Sequence, residues 1–292
     1  MKTMLKGLLH RLGLHLVGGH LRRLKIPHHS SREAQRLLVS AWQDRVAHRR
    51  PLPSFDEAGF RAYSQTNEDG ILLLLQAVLG RGAGHMVEIG CGEGDESNSA
   101  NLIINHGWTA TLFDGSGDSL SAARRFYAAN PDTRIFPPKC HLAWFTRENI
   151  NAVLRQAGVP AEPDIFSLDI DGMDYWLWEA MTEVRARIVV LEYNNVIPAE
   201  IAVTVPYSED FRTAQPDFTG ASLAAMVKLG RRKNYRLVGC SQLRYNAFFL
   251  RDGVGEDLFP EMSVEEGLDH PYPREGRETR YPPVANLGWV HV

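Results

Sequence analysis

The chain has 292 residues, 44% of them hydrophobic, enough apolar mass for one large core, and a formal net charge of only -3, which argues against a nucleic-acid binder. Its three cysteines, Cys91, Cys140 and Cys240, form no C-x-x-C pair, so neither a zinc site nor a disulfide framework is indicated and a reducing, cytoplasmic setting is expected.

The near-neutral total hides a basic end. Residues 1–50 carry Lys2, Lys6, Arg11, Arg22, Arg23, Lys25, Arg32, Arg36, Arg45, Arg49 and Arg50 against Glu33 and Asp44, a surplus of about +9. Leu5, Leu8, Leu9, Leu12 and Leu16 recur at helical spacing, which predicts an amphipathic helix within residues 1–25. Such a helix either lies peripherally on an anionic membrane or packs on its own domain or on a second copy, as in a homo-oligomer. No apolar run approaches the roughly 20 residues needed to span a bilayer. Arg32 to His48 reads as a second helix, and Arg49-Arg50-Pro51-Leu52-Pro53 as a linker, giving a helical extension over residues 1–53.

Residues 54–253 read as the catalytic domain. Tyr63 to Gly70 (YSQTNEDG) precedes the apolar helix ILLLLQAVLG and supplies N-cap chemistry from Ser, Asn and Asp. Met86 to Asp95, MVEIGCGEGD, is a strand running into three glycines, Gly90, Gly92 and Gly94. A dinucleotide turn spaces its glycines G-x-G-x-x-G; here the third comes one residue early, and Glu88 places a carboxylate two residues before the first. A cofactor without phosphates and with a cationic sulfonium fits that turn better. Ser97 and Asn98, ahead of the helix ANLIINHG, either contact the cofactor's polar end or only cap the helix.

The next strand, TATLF, ends in Asp114-Gly115-Ser116, a little over twenty residues past the glycines. An acid there can accept hydrogen bonds from both hydroxyls of a ribose, or it simply starts a turn. A third strand is expected around Thr133 to Phe136, and Thr146 is expected to cap a helix running to Ala157. His141 is a candidate base or adenine neighbour, alternatively a polar side chain with a satisfied hydrogen bond.

The densest chemistry lies at Asp164 to Trp178, DIFSLDIDGMDYWLW, where a strand delivers Asp169, Asp171 and Asp174. This should be the fourth strand, beside the first, where strand order reverses and ligands of open parallel sheets bind. The following strand, Arg187 to Leu191, carries Glu192 and Asn194 to the same edge. Asp169, Asp171, Glu192 and Asn194 together form an oxygen-rich set suited to Mg²⁺. Alternatively Asp171-Gly172 is a turn and Asp169 a metal-free general base. The excursion IAVTVPYSEDFRTAQPDF suits a substrate lid. Tyr235 to Gly239 and Asn246 to Arg251 form an antiparallel pair, and residues 254–292 are expected to be an irregular arm.

Acid-x-Gly-x-Gly-x-Gly at a strand end resembles motif I of class I S-adenosylmethionine (SAM) methyltransferases, which implies that the acid, Glu88, lies by the cofactor's methionine moiety and that Gly90, Gly92 and Gly94 lie under it. The pieces SQTNEDGI, VEIGCGEGD, LDIDGMDYW, VLEYN, GASL and NAFFLRD, over roughly residues 60 to 252, resemble the FkbM-type branch. That branch carries a glutamate-glycine pair where this chain reads DGMDYW. The resemblance implies a doubly wound α/β fold whose seven-stranded, mostly parallel sheet has the order 3-2-1-4-5-7-6, with an antiparallel last strand. It further implies SAM as cofactor, O-methyl transfer to a sugar, glycolipid or other polyhydroxylated acceptor, Mg²⁺ at the fourth and fifth strand ends in some relatives, and Gln65 and Glu68 near the cofactor. Two other classes fit the same residues: an idle scaffold of a glycan-assembly complex, and a dinucleotide-dependent oxidoreductase.

Overall fold

A computed structural model describes residues 29–213 and 215–292. The amphipathic helix expected within residues 1–25 lies outside the described residues. No helix among the described residues is long and apolar enough to cross a membrane.

The second predicted helix is α1 (His29–Ala47), which packs on α3 (Glu68–Leu79) and buries Trp42. Between them lies the single turn α2 (Phe55–Ala58), closed by a Ser54/Glu57 capping box. From Gly70 the α3 residues Ile71 to Leu75 are all fully buried, because the helix is wrapped by α1 on one side and the sheet on the other. The alternation of strand and helix continues through β1 (His85–Ile89), α4 (Ala100–His106), β2 (Thr109–Asp114), α5 (Gly117–Ala129), β3 (Lys139–Leu142), α6 (Ile150–Gln156), β4 (Ile165–Leu168), α7 (Asp174–Ala180) and β5 (Ile188–Glu192). After β6 (Val203–Thr204) come α8 (Leu223–Arg232), β7 (Tyr235–Cys240) and β8 (Asn246–Arg251).

Seven strands form one sheet in the order β3-β2-β1-β4-β5-β8-β7. Counted within that sheet, this is the expected 3-2-1-4-5-7-6. The first five strands pair in parallel, while β8 runs antiparallel to both β5 and β7. The central strands read as unbroken apolar runs, IFSL in β4 and IVVL in β5, because helices cover both sheet faces. Two core clusters result, one on each face. Chain order reverses between β1 and β4, and the crevice outside their carboxyl ends is where ligands of such sheets bind.

Two expectations about elements are corrected. The third strand is Lys139–Leu142 and not Thr133 to Phe136. Pro137 and Pro138 have no N–H to donate to a ladder, so pairing begins after them and leaves Ile135 and Phe136 outside the sheet. The arm expected to be irregular holds α9 (Val264–Gly267), α10 (Pro271–Thr279) and β9 (Val290–His291). It folds back onto the domain: β9 pairs with β6, and Leu268 enters the core.

Candidate active site

A cleft of about 620 Å³ opens at the carboxyl ends of β1, β2, β4 and β5. Strand ends that converge there are joined by turns which must leave the sheet at once, and glycine makes that geometry accessible. Gly90 has φ 89°, and a Cβ on it would lie 1.7 Å from the Asp169 carbonyl oxygen, so only glycine lets the loop after β1 approach the end of β4. Gly92, also at positive φ (56°), faces open space in the cleft. Gly94 does not line the cleft; it packs against Tyr127 and Ala123 of α5.

Asp114, at the end of β2, lines the cleft half-buried. Its Oδ2 accepts the Gly92 N–H at 2.9 Å and its Oδ1 accepts the Ser116 N–H at 2.7 Å. Each carboxylate oxygen keeps a lone pair for a ligand hydroxyl. Ser116 lines the cleft beside it while its Oγ accepts the Ser119 N–H as the N-cap of α5. Gln65 also lines the cleft; Glu68 does not, being fully buried with its carboxylate accepting Thr66 N–H, Thr66 Oγ1–H and Asn246 Nδ2–H.

Glu88, Ser97 and Asn98 face inward. The Glu88 carboxylate accepts Ser97 Oγ–H at 2.6 Å, Asn98 N–H at 2.9 Å and Ser99 N–H at 3.2 Å, and Asn98 Nδ2 donates to Ser167 on β4. All three residues are buried, so they clamp the turn into α4 from beneath. Burial raises the Glu88 pKa, and these donors oppose the rise.

At the opposite end of the cleft, Asp169, Asp171 and Glu192 each bring a carboxylate oxygen within 4.8 Å of the other two. Among the described residues this is the one such group of possible metal ligands. Asp169 and Glu192 are half-buried and Asp171 is exposed. Burial, then the charges of Asp174 and Asp171, push the Asp169 carboxyl up; burial, then Asp169, push Glu192 well up. Asp174 accepts the N–H groups of Ile170 and Gly172 and thereby holds the turn that presents Asp171, itself at φ 59°.

Asn194 is a correction to the expected metal set. Its Nδ2 donates to the carbonyls of Asp217 and Thr219, and its Oδ1 accepts the Val196 N–H. The carboxamide is committed to holding the excursion after β6. His141 is absent from the cleft lining; its ring stacks on Phe113 at 5.3 Å, and burial, then Lys139 and Arg124, lower its pKa.

The remaining lining carries residues for which the sequence assigned no individual role. Trp144 lies against Gly115, where a Cβ would meet its ring at 2.8 Å. Trp144 Nε1 donates to the Glu209 carbonyl at 2.8 Å, and the Arg212 guanidinium sits 4.5 Å over its ring. Phe211 of the same excursion rests on Gly172. The excursion thus spans the cleft from the Asp114 end to the Asp171 end. Outside the lining, the Trp176 indole donates to the Val205 carbonyl, and Trp178 is buried against Phe249 and Tyr235.

The sheet and its cleft define a Rossmann-like α/β protein with the strand order of class I methyltransferases. No protein-family model matches the chain, and no curated protein matches it. Among solved structures it is similar to the N-terminal domain of EvdMO1 with SAH bound, at 14% identity over 71% of this chain and 93% of that one, with TM-score 0.42. It is likewise similar to the magnesium protoporphyrin IX methyltransferase of Synechocystis with bound SAM, at 11% identity over 63% and 78% of the two chains, TM-score 0.39. A SAM-dependent methyltransferase of Clostridium acetobutylicum matches at 10% identity over 58% and 84%, TM-score 0.34.

Proposed function

We propose that the chain is a SAM-dependent O-methyltransferase acting on a hydroxyl of a sugar, glycolipid or polyhydroxylated natural product. One observation carries this reading: a single cleft holds an open glycine turn with a diol-accepting carboxylate, Asp114, at one end and three clustered carboxylates at the other. Gly90, Gly92 and Asp114 would bind the nucleoside and methionine parts, with Gln65 and Ser116 beside them. SAM supplies an electrophilic methyl on a sulfonium. Methyl transfer is an in-line displacement, so the residues around the acceptor need only align its oxygen and take its proton. Asp169 is assigned that proton, because it lines the cleft and its raised affinity for protons suits a base.

The donor set also fits Mg²⁺: three hard carboxylate oxygens in reach of one another, whose mutual repulsion a dication would relieve. Asp169, Asp171 and Glu192 would hold the ion, which when bound would polarise an acceptor hydroxyl and lower its pKa. The glycan class of acceptor is supported by the sequence resemblance and by a rim that mixes Trp144, Phe211 and Arg212 with carboxylates.

The test is calorimetric titration of the full chain with S-adenosylhomocysteine, with and without Mg²⁺. Saturable binding in both conditions is expected, followed by methyl transfer to hydroxylated acceptors in a screen with labelled SAM. Absence of binding in both conditions would overturn the reading.

A further inference from the structure

Residues 130–138 join α5 to β3 at the amino ends of the strands, away from the cleft. Their tip points two large apolar side chains into water: Ile135 is 71% exposed and Phe136 is 87% exposed, the highest value of any large apolar side chain among the described residues. Pro137 and Pro138 follow and have no N–H to donate, so the β3 ladder does not extend back through them to the tip. A soluble surface gains nothing from such a projection, and burying it in another phase recovers its transfer free energy.

The charges around the tip select the phase. Arg124, Arg125, Arg134 and Lys139 are all exposed, and Arg124 Nη2 donates to the Cys140 carbonyl at the start of β3, which holds that cation beside the loop. Asp132 is the only acid between residues 119 and 141, and it is paired with Arg32 of α1 at 3.1 Å. Residues 1–28, which hold Lys2, Lys6, Arg11, Arg22, Arg23 and Lys25 and no acid, join α1 three residues before Arg32.

We propose that this edge docks on an anionic lipid bilayer, with Ile135 and Phe136 inserted at the headgroup boundary and Arg124, Arg134 and Lys139 against the lipid phosphates. An exposed apolar tip flanked by cations that form no ion pair among the described residues matches a deformable, negatively charged surface. Because β3 runs from this edge toward the cleft, docking leaves the mouth of the cleft facing water. The inference stands independently of the methyl-transfer reading.

The experiment uses the full chain with Phe136→Cys in a Cys140→Ser background, labelled at residue 136 with an environment-sensitive fluorophore. Vesicles of an equimolar phosphatidylcholine and phosphatidylglycerol mixture should blue-shift the label and bring it within reach of a lipid-borne quencher; vesicles of phosphatidylcholine alone should not. In the unlabelled chain, Ile135→Ser with Phe136→Ser should weaken partitioning to the mixed vesicles at least about tenfold. Arg134→Ser and Lys139→Ser should each weaken it about fivefold. All these side chains are exposed, so the melting temperature should not move. The proposal is overturned if the chain does not bind the mixed vesicles. It is equally overturned if the chain binds them while the label stays in water, which would leave residues 1–28 as the sole anchor. A label already shielded before lipid is added would mean that residues 1–28 or a second copy cover the tip, and would overturn it as well.

Discussion

Carboxylates at the carboxyl ends of central strands are used oppositely beneath the glycine turn and at the acidic end of the cleft. Glu88 on β1 meets three donors, Ser97 Oγ–H and the N–H groups of Asn98 and Ser99, and is 3% exposed. Asp169 and Glu192, at the ends of β4 and β5, face other carboxylates and the open cleft. A carboxylate ringed by donors is spent on holding the fold. One crowded by like charges retains free energy that a proton, a cation or a substrate hydroxyl can release. What separates structure from chemistry here is how many donors each acid meets.

The largest effect expected is at the point where the two ends touch. Gly90→Ala would drive a methyl into the Asp169 carbonyl oxygen and should cost roughly 4 kcal/mol or more, read as loss of the folded chain on expression or in thermal melting. Next, Asp169→Asn should slow methyl transfer about a thousandfold. It should also leave S-adenosylhomocysteine affinity within about threefold and keep or raise the melting temperature, since it removes a crowded charge. A parallel loss of cofactor affinity would merge the two ends and break the comparison.

Glu88→Gln should do the reverse, lowering stability by about 2 kcal/mol because an amide cannot accept all three donors, with only indirect effects on transfer. If the chain melted unchanged, Glu88 would not be the clamp described. Asp114→Ala should weaken S-adenosylhomocysteine about thirtyfold by calorimetry, the worth of hydrogen bonds to a charged acceptor.

The smallest effect is on pH dependence. Asp169 and Glu192 have folded-state pKa values above their unfolded ones, so the folded chain binds more protons and stability falls as pH rises above the ordinary carboxyl range, near about 4. Denaturant titrations from acid to mildly alkaline pH should show this slope, flattened in Asp169→Asn. Mg²⁺ should restore stability at the alkaline end in the wild-type chain alone; no response to Mg²⁺ would leave Asp169 as a metal-free base.

Sequence alone determined the central strands of the sheet and the places where chemistry could occur, because those depend on local pattern. Buried parallel strands read as continuous apolar runs, and Gly90, Asp114, Asp169 and Asp171 mark where those runs must stop. Tertiary structure decided which marked residue faces the cleft. Glu88 turns beneath the glycine loop because its donors come from the start of the following helix, and Asn194 is withdrawn by carbonyls more than twenty residues away. The third strand moved past Pro137 and Pro138, whose missing N–H groups outweighed the β-propensity of Ile135 and Phe136. Trp144, Phe211 and Arg212 join the lining only when distant segments meet, Trp144 lying over Gly115 and Phe211 over Gly172. Periodicity along a chain tells which residues leave the core. The direction a strand-end side chain then takes is settled by hydrogen-bond partners and packing neighbours that the fold brings in from elsewhere.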